Sequence, residues 1–192
     1  MSESMLEGHR VLGFDLETTG FDPRTDRVVE YAFVGSEPDG EHVSLNSLVH
    51  PGVKIPEGAI RVHGISDEDV RGKGGFAEHA GEVFAAIEGA VIVGHNVIAF
   101  DWKFIEMEFM RMGAEAPRPR AIIDTLVIAR RFGIPGRHKL GTLCDRFGIR
   151  LENSHRANVD AGATLLLLWK VMRAYPSRFN GTLEDFLQSL AR

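Results

Sequence analysis

A chain of 192 residues is long enough to bury a sizeable core, and it suits one domain better than two. Its 44% hydrophobic and 26% charged residues are ordinary for a globular protein, and no apolar run reaches the ~18 residues that a membrane span needs. The formal net charge of −5 argues against a protein that holds nucleic acid over a long basic surface.

The single cysteine and the start of the chain limit the class of protein further. Cys144 excludes an internal disulfide and a cysteine-rich zinc site, and its place between Leu143 and Phe147 predicts a buried hydrophobic residue. The first residues have no apolar stretch after a basic start, so they do not form a secretion signal. We therefore expect residues 1–9 to form a short flexible leader, residues 10–192 to form a single domain, and the protein to be cytoplasmic.

Three strands are predicted in the amino-terminal part of the chain. They cover residues 10–15, 28–35 and 42–49, with a turn-rich loop at 18–26 and a tight turn at 37–40. The second and third strands therefore form a hairpin. Prolines predict a loop over 51–64, and Ser66 followed by acidic residues predicts the capped start of a short helix.

Helices alternate with short buried strands in the rest of the chain. Apolar residues at helical spacing predict the first long helix over 76–87. Further helices are predicted over 99–112, 125–132, 140–147, 157–175 and 183–190, and buried strands over 90–93 and 121–123. This order predicts an α/β fold with one mixed sheet of five strands and helices on both faces.

Acidic residues mark three segments of this predicted fold. Asp15 and Glu17 lie two positions apart in a strand, so both carboxylates face one side, and such oxygen ligands suit Mg²⁺ or Mn²⁺. Asp101 opens a helix after a buried strand, where open α/β sheets place ligands, although a helix cap explains it equally well. Asp160 lies in the first turns of a long helix, where an acid is also favoured by the helix dipole alone.

Histidines and basic residues accompany these acids. His155 precedes Asp160 by five residues and is either an exposed loop histidine or a general base, while His95 is typical of a structural histidine. A basic group could contact phosphate or form an ordinary solvated face. Its members are Arg118, Arg120, Arg130, Arg131, Arg137, His138 and Lys139.

Together the three segments resemble the motifs of the DEDDh, or DnaQ-like, 3′–5′ exonuclease family, which includes the proofreading epsilon subunit of bacterial DNA polymerase III. The run from Asp15 to Gly20 resembles the first motif, the run from His95 to Asp101 the second, and the run from His155 to Asp160 the third. Three residues separate Asn96 from Phe100, where the commonest family version has two. Further segments resemble later landmarks of the family, namely Val62-His63-Gly64-Ile65, Ile123-Asp124-Thr125 and Lys139-Leu140.

The resemblance implies a ribonuclease H-like fold and a two-metal-ion hydrolase. It implies that Asp15, Glu17, Asp101 and Asp160 hold two divalent cations, Mg²⁺ or Mn²⁺, with Asp15 bridging them. His155 would accept the proton of the attacking water, and the product would be a nucleoside 5′-monophosphate.

The same resemblance implies a pocket for the 3′-terminal nucleotide. Residues around Leu16 and Thr18 would meet the terminal sugar, and side chains flanking the base would stack on it. Phe100 is equally well explained as a core residue of its helix. The remaining substrate-binding residues implied are Val62, His63 and Asn96.

Three functions follow as expectations. The first is an exonuclease that trims single-stranded or frayed DNA ends, either free-standing or as a proofreading subunit of a DNA polymerase. The second is an RNA-trimming exoribonuclease of the same superfamily, since no residue reports on the 2′-hydroxyl. The third is a polymerase-associated binding subunit. A ribonuclease H-like endonuclease is disfavoured by the spacing of His155 and Asp160.

Overall fold

The computed structural model describes residues 5–151 and 155–191. The first four residues of the predicted leader and Ser154, which precedes the third acidic segment, lie outside the described residues. Met5, in the described part of that leader, is buried in the core.

Five strands form one mixed sheet in the order β3-β2-β1-β4-β5. The strand β1 pairs antiparallel with β2 and parallel with β4, so it lies at the centre of the sheet. The Gly40 amide donates to the Glu37 carbonyl across the predicted tight turn between β2 and β3. This arrangement confirms the predicted α/β class. The strands are β1 (Val11–Thr18), β2 (Val28–Ser36), β3 (His42–Leu48), β4 (Val91–Gly94) and β5 (Ala121–Asp124).

The long predicted helices are present within one or two residues of the expected ends. Of the helices that the described residues form, none is long and apolar enough to cross a membrane. The helices are α1 (Glu57–His63), α2 (Phe76–Ile87), α3 (Asp101–Arg111), α4 (Thr125–Arg131), α5 (Leu140–Arg146), α6 (Ala157–Ala174) and α7 (Leu183–Ala191), with a 3-10 turn at Pro176–Arg178.

Two local predictions between β3 and α2 are wrong. The expected loop over 51–64 contains α1, which starts after Pro56 and ends before Gly64, whose φ of 76° lies in the left-handed region that favours glycine. Proline before a helix and glycine after it are boundary signals, so the same residues also fit a short helix. The expected helix start at Ser66 is a turn, in which the Ser66 amide and hydroxyl both donate to Asp69.

Helices cover both faces of the sheet, as predicted. Side chains of α2 and α3 pack on one face, together with Leu12, Phe14 and Leu16 of β1. Side chains of α4, α5, α6 and α7 pack on the other face. Because side chains alternate along a strand, Asp15 and Glu17 point toward the face that α6 covers. Cys144 is fully buried on that same face, as predicted.

The helix α6 crosses β1 at Gly13. A Cβ atom on Gly13 would lie 2.2 Å from the Ala161 carbonyl oxygen, closer than any side chain tolerates. The absence of a side chain at Gly13 therefore lets α6 rest directly on β1. This close approach brings Asp160, one residue before Ala161, beside the acids of β1.

Candidate active site

Three of the predicted acids converge where β1 meets α6. Asp15, Glu17 and Asp160 each offer a carboxylate oxygen, and these atoms lie within 4.8 Å of one another. Glu17 and Asp160 are buried, and Asp15 is partly exposed. Residues up to 145 positions apart in sequence are thus close enough to share one cation.

The fourth predicted acid reaches the same place from α3. Asp101 is the first residue of that helix and is only 3% exposed. Its Oδ1 atom accepts a hydrogen bond of 3.0 Å from the amide of Leu16, which lies between Asp15 and Glu17. The backbone of β1 therefore holds the Asp101 carboxylate beside the other acids. Phe100 occupies the cap position, so Asp101 is not the helix cap that its place in sequence allowed.

Burial raises the pKa of all four acids, and neighbouring carboxylates raise the pKa of Asp15 and Glu17 further. Burial, followed by the charges of Asp101 and Glu17, raises the pKa of Asp15 well above its usual range. Burial and the charge of Asp160 raise the pKa of Glu17 to about 8, and burial raises the pKa of Asp101 to about 7. The pKa of Asp160 is raised as well, chiefly by burial. A cluster of this kind is stabilised by positive charge placed among the carboxylates.

The donor set fits divalent metal ions. All four side chains offer carboxylate oxygens, which suit hard cations such as Mg²⁺ and Mn²⁺. The charge of Arg156 lowers the pKa of Glu17, but by less than the neighbouring acids raise it. The residues that would hold the ions are Asp15, Glu17, Asp101 and Asp160.

His155 lies at the rim of this cluster. Its side chain is exposed, and its amide donates to Asp160 Oδ2 at 3.0 Å. Its φ of 69° is unusual for a residue with a side chain. Of the described residues other than glycine, only His155 and Asn96 have positive φ, and strained backbone of this kind often marks functional sites.

A buried ion pair fixes the chain just after His155. Glu30 is fully buried on β2, directly opposite Glu17 in the sheet register. Its carboxylate accepts from the Arg156 guanidinium at 2.7 Å and from the Ala157 amide at 3.0 Å. Since Arg156 and Ala157 begin α6, Glu30 sets where that helix starts. The sequence reasoning assigned no role to Glu30 or Arg156, because strand position alone does not reveal which distant residue a buried acid meets.

A pocket of about 330 Å³ opens beside Glu17. Its walls come from the end of β1, from the following loop and from α1. Five predicted substrate-binding residues line it, namely Leu16, Thr18, Val62, His63 and Phe100. The sixth, Asn96, is not among the lining residues of this pocket and lies in a neighbouring groove.

His63 presents a free donor in this pocket. It is 5% exposed, and its Nδ1 accepts from the Ile65 amide, which leaves the proton on Nε2. Among the described residues that Nε2 atom makes no hydrogen bond of ordinary length and angle, although the Thr18 backbone lies near enough to raise the pKa of the ring. Burial lowers the pKa of His63, so the ring is neutral near pH 7. A buried donor without a partner is costly, and a polar atom of a ligand would satisfy it.

Phe21 is an aromatic residue that the sequence reasoning did not assign to the site. It is 86% exposed, and its ring centroid lies 6.3 Å from that of Phe100. Phe21 lines both the pocket and the neighbouring groove. Its place in a polar, turn-rich loop carried no signal of exposure, because a lone aromatic residue in such a loop often folds back onto the core.

Asp124 shapes the loop between β4 and α3, a role that was also missed. Its carboxylate accepts from the amides of Asn96, Ile98 and Leu126 at 2.9 to 3.2 Å. The loop carrying the extra residue between Asn96 and Phe100 is therefore tied to the start of α4. An aspartate that follows a buried strand and precedes a helix is a recognisable cap, so this signal was available in the sequence.

His95 is held as a structural residue. Its Nδ1 lies 2.9 Å from the Thr125 hydroxyl oxygen, and its Nε2 lies 2.8 Å from the His138 carbonyl oxygen. Both ring nitrogens are thus engaged away from the acids. This geometry agrees with the sequence preference for a structural histidine at this position.

Comparisons with known proteins agree with the geometry. A family model described as exonuclease matches residues 12–168. The chain is 34% identical over 184 residues to DNA polymerase III PolC-type of Pediococcus pentosaceus, covering 95% of this chain and 13% of that protein. It is 30% identical over 179 residues to DNA polymerase III subunit epsilon of Treponema pallidum, covering 92% of this chain and 82% of that one.

A solved structure shows the same fold. Exonuclease I of E. coli in complex with a dT13 oligonucleotide superposes with a TM-score of 0.74 at 21% identity, covering 93% of this chain and 45% of that chain. This likeness confirms a ribonuclease H-like architecture and, at this identity, the fold alone.

The chain belongs to the exonuclease family. Within that family it is a DnaQ-like 3′–5′ exonuclease, as its likeness to the epsilon subunit shows. Exonucleases of this family depend on divalent metal ions, and the acid cluster described above is present in this chain. The chain spans 13% of the length of the PolC-type relative, so it matches one part of a much larger protein.

Proposed function

We propose that this enzyme removes nucleotides one at a time from the 3′ end of single-stranded or frayed DNA and releases nucleoside 5′-monophosphates. The observation that carries the proposal is the convergence of Asp15, Glu17 and Asp160 within 4.8 Å, with Asp101 fixed beside them. The scissile phosphate would lie at this cluster. When bound there, divalent cations would stabilise the negative charge of the attacking and leaving oxygens.

His155 is proposed as the general base. Its side chain is exposed at the rim of the acid cluster, and its backbone is fixed by the hydrogen bond to Asp160 and by the Glu30 ion pair next to it. A histidine in this place can accept the proton of the attacking water near neutral pH. The carboxylates position the phosphate, and the histidine moves the proton.

The pocket beside Glu17 is proposed to bind the terminal nucleoside. Its volume of about 330 Å³ lies at the small end of ligand sites, which suits one unpaired nucleoside and excludes a base pair. Phe100 and Phe21 offer aromatic surface on which any base can stack, for about 1–3 kcal/mol each. The free Nε2 donor of His63 would meet a polar atom of the nucleotide.

DNA is proposed as the substrate because the names of the relatives refer to DNA. The relatives are named as DNA polymerase III proteins, and the superposed exonuclease I holds a dT13 oligonucleotide. The same names support a role in proofreading beside a DNA polymerase. Co-purification of the chain with a polymerase from its own cell would test that role, and an uncomplexed enzyme would indicate a free-standing one.

A time course on end-labelled oligonucleotides tests the reaction. Single-stranded DNA and RNA of one sequence, labelled at either the 3′ or the 5′ end, would be incubated with Mg²⁺, with Mn²⁺ or with a chelator. We expect 3′ label to appear at once as mononucleotide, 5′ label to shorten stepwise, and chelator to stop both. Faster cleavage of RNA than of DNA would indicate that RNA is the substrate. Fragments cut from the interior of the strand would contradict exonuclease activity.

A further inference from the structure

A groove of about 1040 Å³ also borders the acid cluster. Asp160 and His155 line its start, and Phe21 lies where the groove and the pocket meet. Glu17 lines the pocket, and its carboxylate lies within 4.8 Å of that of Asp160, so the two cavities join at the acids. A chain that ends in the pocket and crosses the acids would enter this groove next.

The far wall of the groove is basic. It is lined by Arg130 at the end of α4 and by His138 and Lys139 before α5, with Asn96 from the loop after β4. Arg130 and Lys139 are both exposed. Because both side chains line the groove, a ligand that lies in it can contact them.

These cations are not used to pair with acids. Within the described ranges 5–151 and 155–191, neither Arg130 nor Lys139 has a carboxylate within 4.0 Å, and the same holds for the neighbouring Arg131 and Arg137. Elsewhere near the site, Arg27 and Arg156 are each paired with a buried glutamate. Unpaired cations along a groove that starts at a phosphate-cleaving site leave positive charge available to a polyanion.

We propose that this groove binds the phosphates on the 5′ side of the scissile bond, with Arg130 and Lys139 as their main contacts. The inference rests on the proposed function, because the direction of the strand follows from a 3′ end in the pocket. It explains how a protein of net charge −5 can hold a polyanion. The electrostatic attraction is local and acts on the few nucleotides that the groove can contain.

Substrate length provides the test. The variant Arg130→Gln with Lys139→Gln would be compared with Lys170→Gln with Arg173→Gln, which removes the same charge from α6, where both cations lie against Trp169. Cleavage efficiency would be measured on a dT dinucleotide and on a dT dodecamer. We expect the dodecamer-to-dinucleotide ratio to fall roughly 25-fold at about 0.1 M salt in the groove variant, and to stay unchanged in the control.

Binding without cleavage separates the two proposals. In an Asp15→Asn background, affinity for a fluorescent dT dodecamer would be measured over a range of salt concentrations. Each phosphate contact on a single strand contributes about 0.7 to the slope of log affinity against log salt concentration. Loss of two contacts in the groove variant should therefore make this slope shallower by about 1.4. An unchanged slope in the groove variant, or an equal loss of slope in both double variants, would contradict the proposed binding of phosphates in the groove. A wild-type enzyme that binds through the groove but cleaves no DNA would overturn the proposed function instead.

Discussion

At the scale of single residues, Asp15 has the most central position in the acid cluster. The charges of all three other acids and of Glu30 act on it, and together with burial they raise its pKa. It is also more accessible than its neighbours in the cluster. Both properties suit a carboxylate that holds metal ions.

Replacing Asp15 by Asn should abolish cleavage while the fold persists. The substitution keeps the shape of the side chain but removes the negative charge that would hold a cation. We expect kcat to fall by at least about 10³-fold, a loss typical of removing a principal electrostatic group. The measurement is the rate of mononucleotide release with Mg²⁺. The control is Asp39→Asn at the exposed hairpin turn, and a slow Asp39→Asn enzyme would show that loss of charge alone explains the effect.

Replacing His155 by Ala should lower kcat more than it changes KM. A general base contributes about 10²- to 10⁴-fold, whereas the exposed ring makes no contact with the terminal-nucleoside pocket. Steady-state kinetics on single-stranded DNA would report the split. His42→Ala, at an exposed position on β3, serves as the matched control. Near-normal kcat in the His155 variant would remove it as the base.

The sequence allowed prediction of the residues whose type and spacing carry chemistry. Asp15, Glu17 and Asp160 were all predicted, and the structure brings them together. Phe21 and Glu30 could not be predicted, because an exposed ring and a buried acid acquire meaning only from neighbours distant in sequence. Asp124 could have been predicted from its position as a helix cap.

At the scale of secondary structure, the contact between β1 and α6 determines the geometry of the site. The helix can lie on the strand because Gly13 has no side chain, and Asp160 is carried next to the acids as a result. The strand fixes two acids and the helix a third. A small change in their separation would therefore disturb these three acids together.

Gly13→Ala should both destabilise the protein and slow the enzyme. The new methyl group meets backbone atoms of Ala161, so α6 must shift, at a cost of about 1–3 kcal/mol in the free energy of unfolding. The control is Gly81→Ala in α2, where the added Cβ meets nothing within 4 Å and should stabilise by roughly 0.5–1 kcal/mol. Chemical denaturation and activity assays would check both. Unchanged activity in Gly13→Ala would mean that the helix position tolerates displacement.

Long periodicity located α2, and the short helices α4 and α5 were also predicted, but α1 was not. The helix α2 spans the predicted residues because its apolar positions repeat over three turns. The helix α1 has seven residues, too few for periodicity to show, and its flanking proline and glycine also fit a loop. The prediction of a helix start at Ser66 was wrong for a different reason. The capping pattern is present there, but the residues that follow it do not continue a helix.

At the scale of the whole molecule, the acid cluster links stability to pH and to metal ions. The pKa of Glu17 rises from an ordinary 4.5 to about 8 on folding, and the pKa of Asp15 rises in the same direction. The folded protein therefore binds more protons than the unfolded chain between these values. Stability is highest below about pH 4.5 for these groups and is lost as pH rises toward about 8.

Without divalent ions, the melting temperature should thus fall as pH rises from 5 toward 8, as far as this cluster contributes. Added Mg²⁺ or Mn²⁺ should raise the melting temperature more at pH 8 than at pH 5, because the carboxylates are then charged and free of protons. Thermal unfolding at both pH values, with chelator and with metal, measures the difference. Asp15→Asn should flatten the pH response and weaken the metal effect. An equal metal effect at both pH values would contradict the link.

One carboxylate oxygen of Asp101 accepts a hydrogen bond from the Leu16 amide, and one of Asp160 accepts a hydrogen bond from the His155 amide. Their torsional freedom is consequently lost when the chain folds and not when a cation arrives. Metal capture should then require little rearrangement of these two side chains.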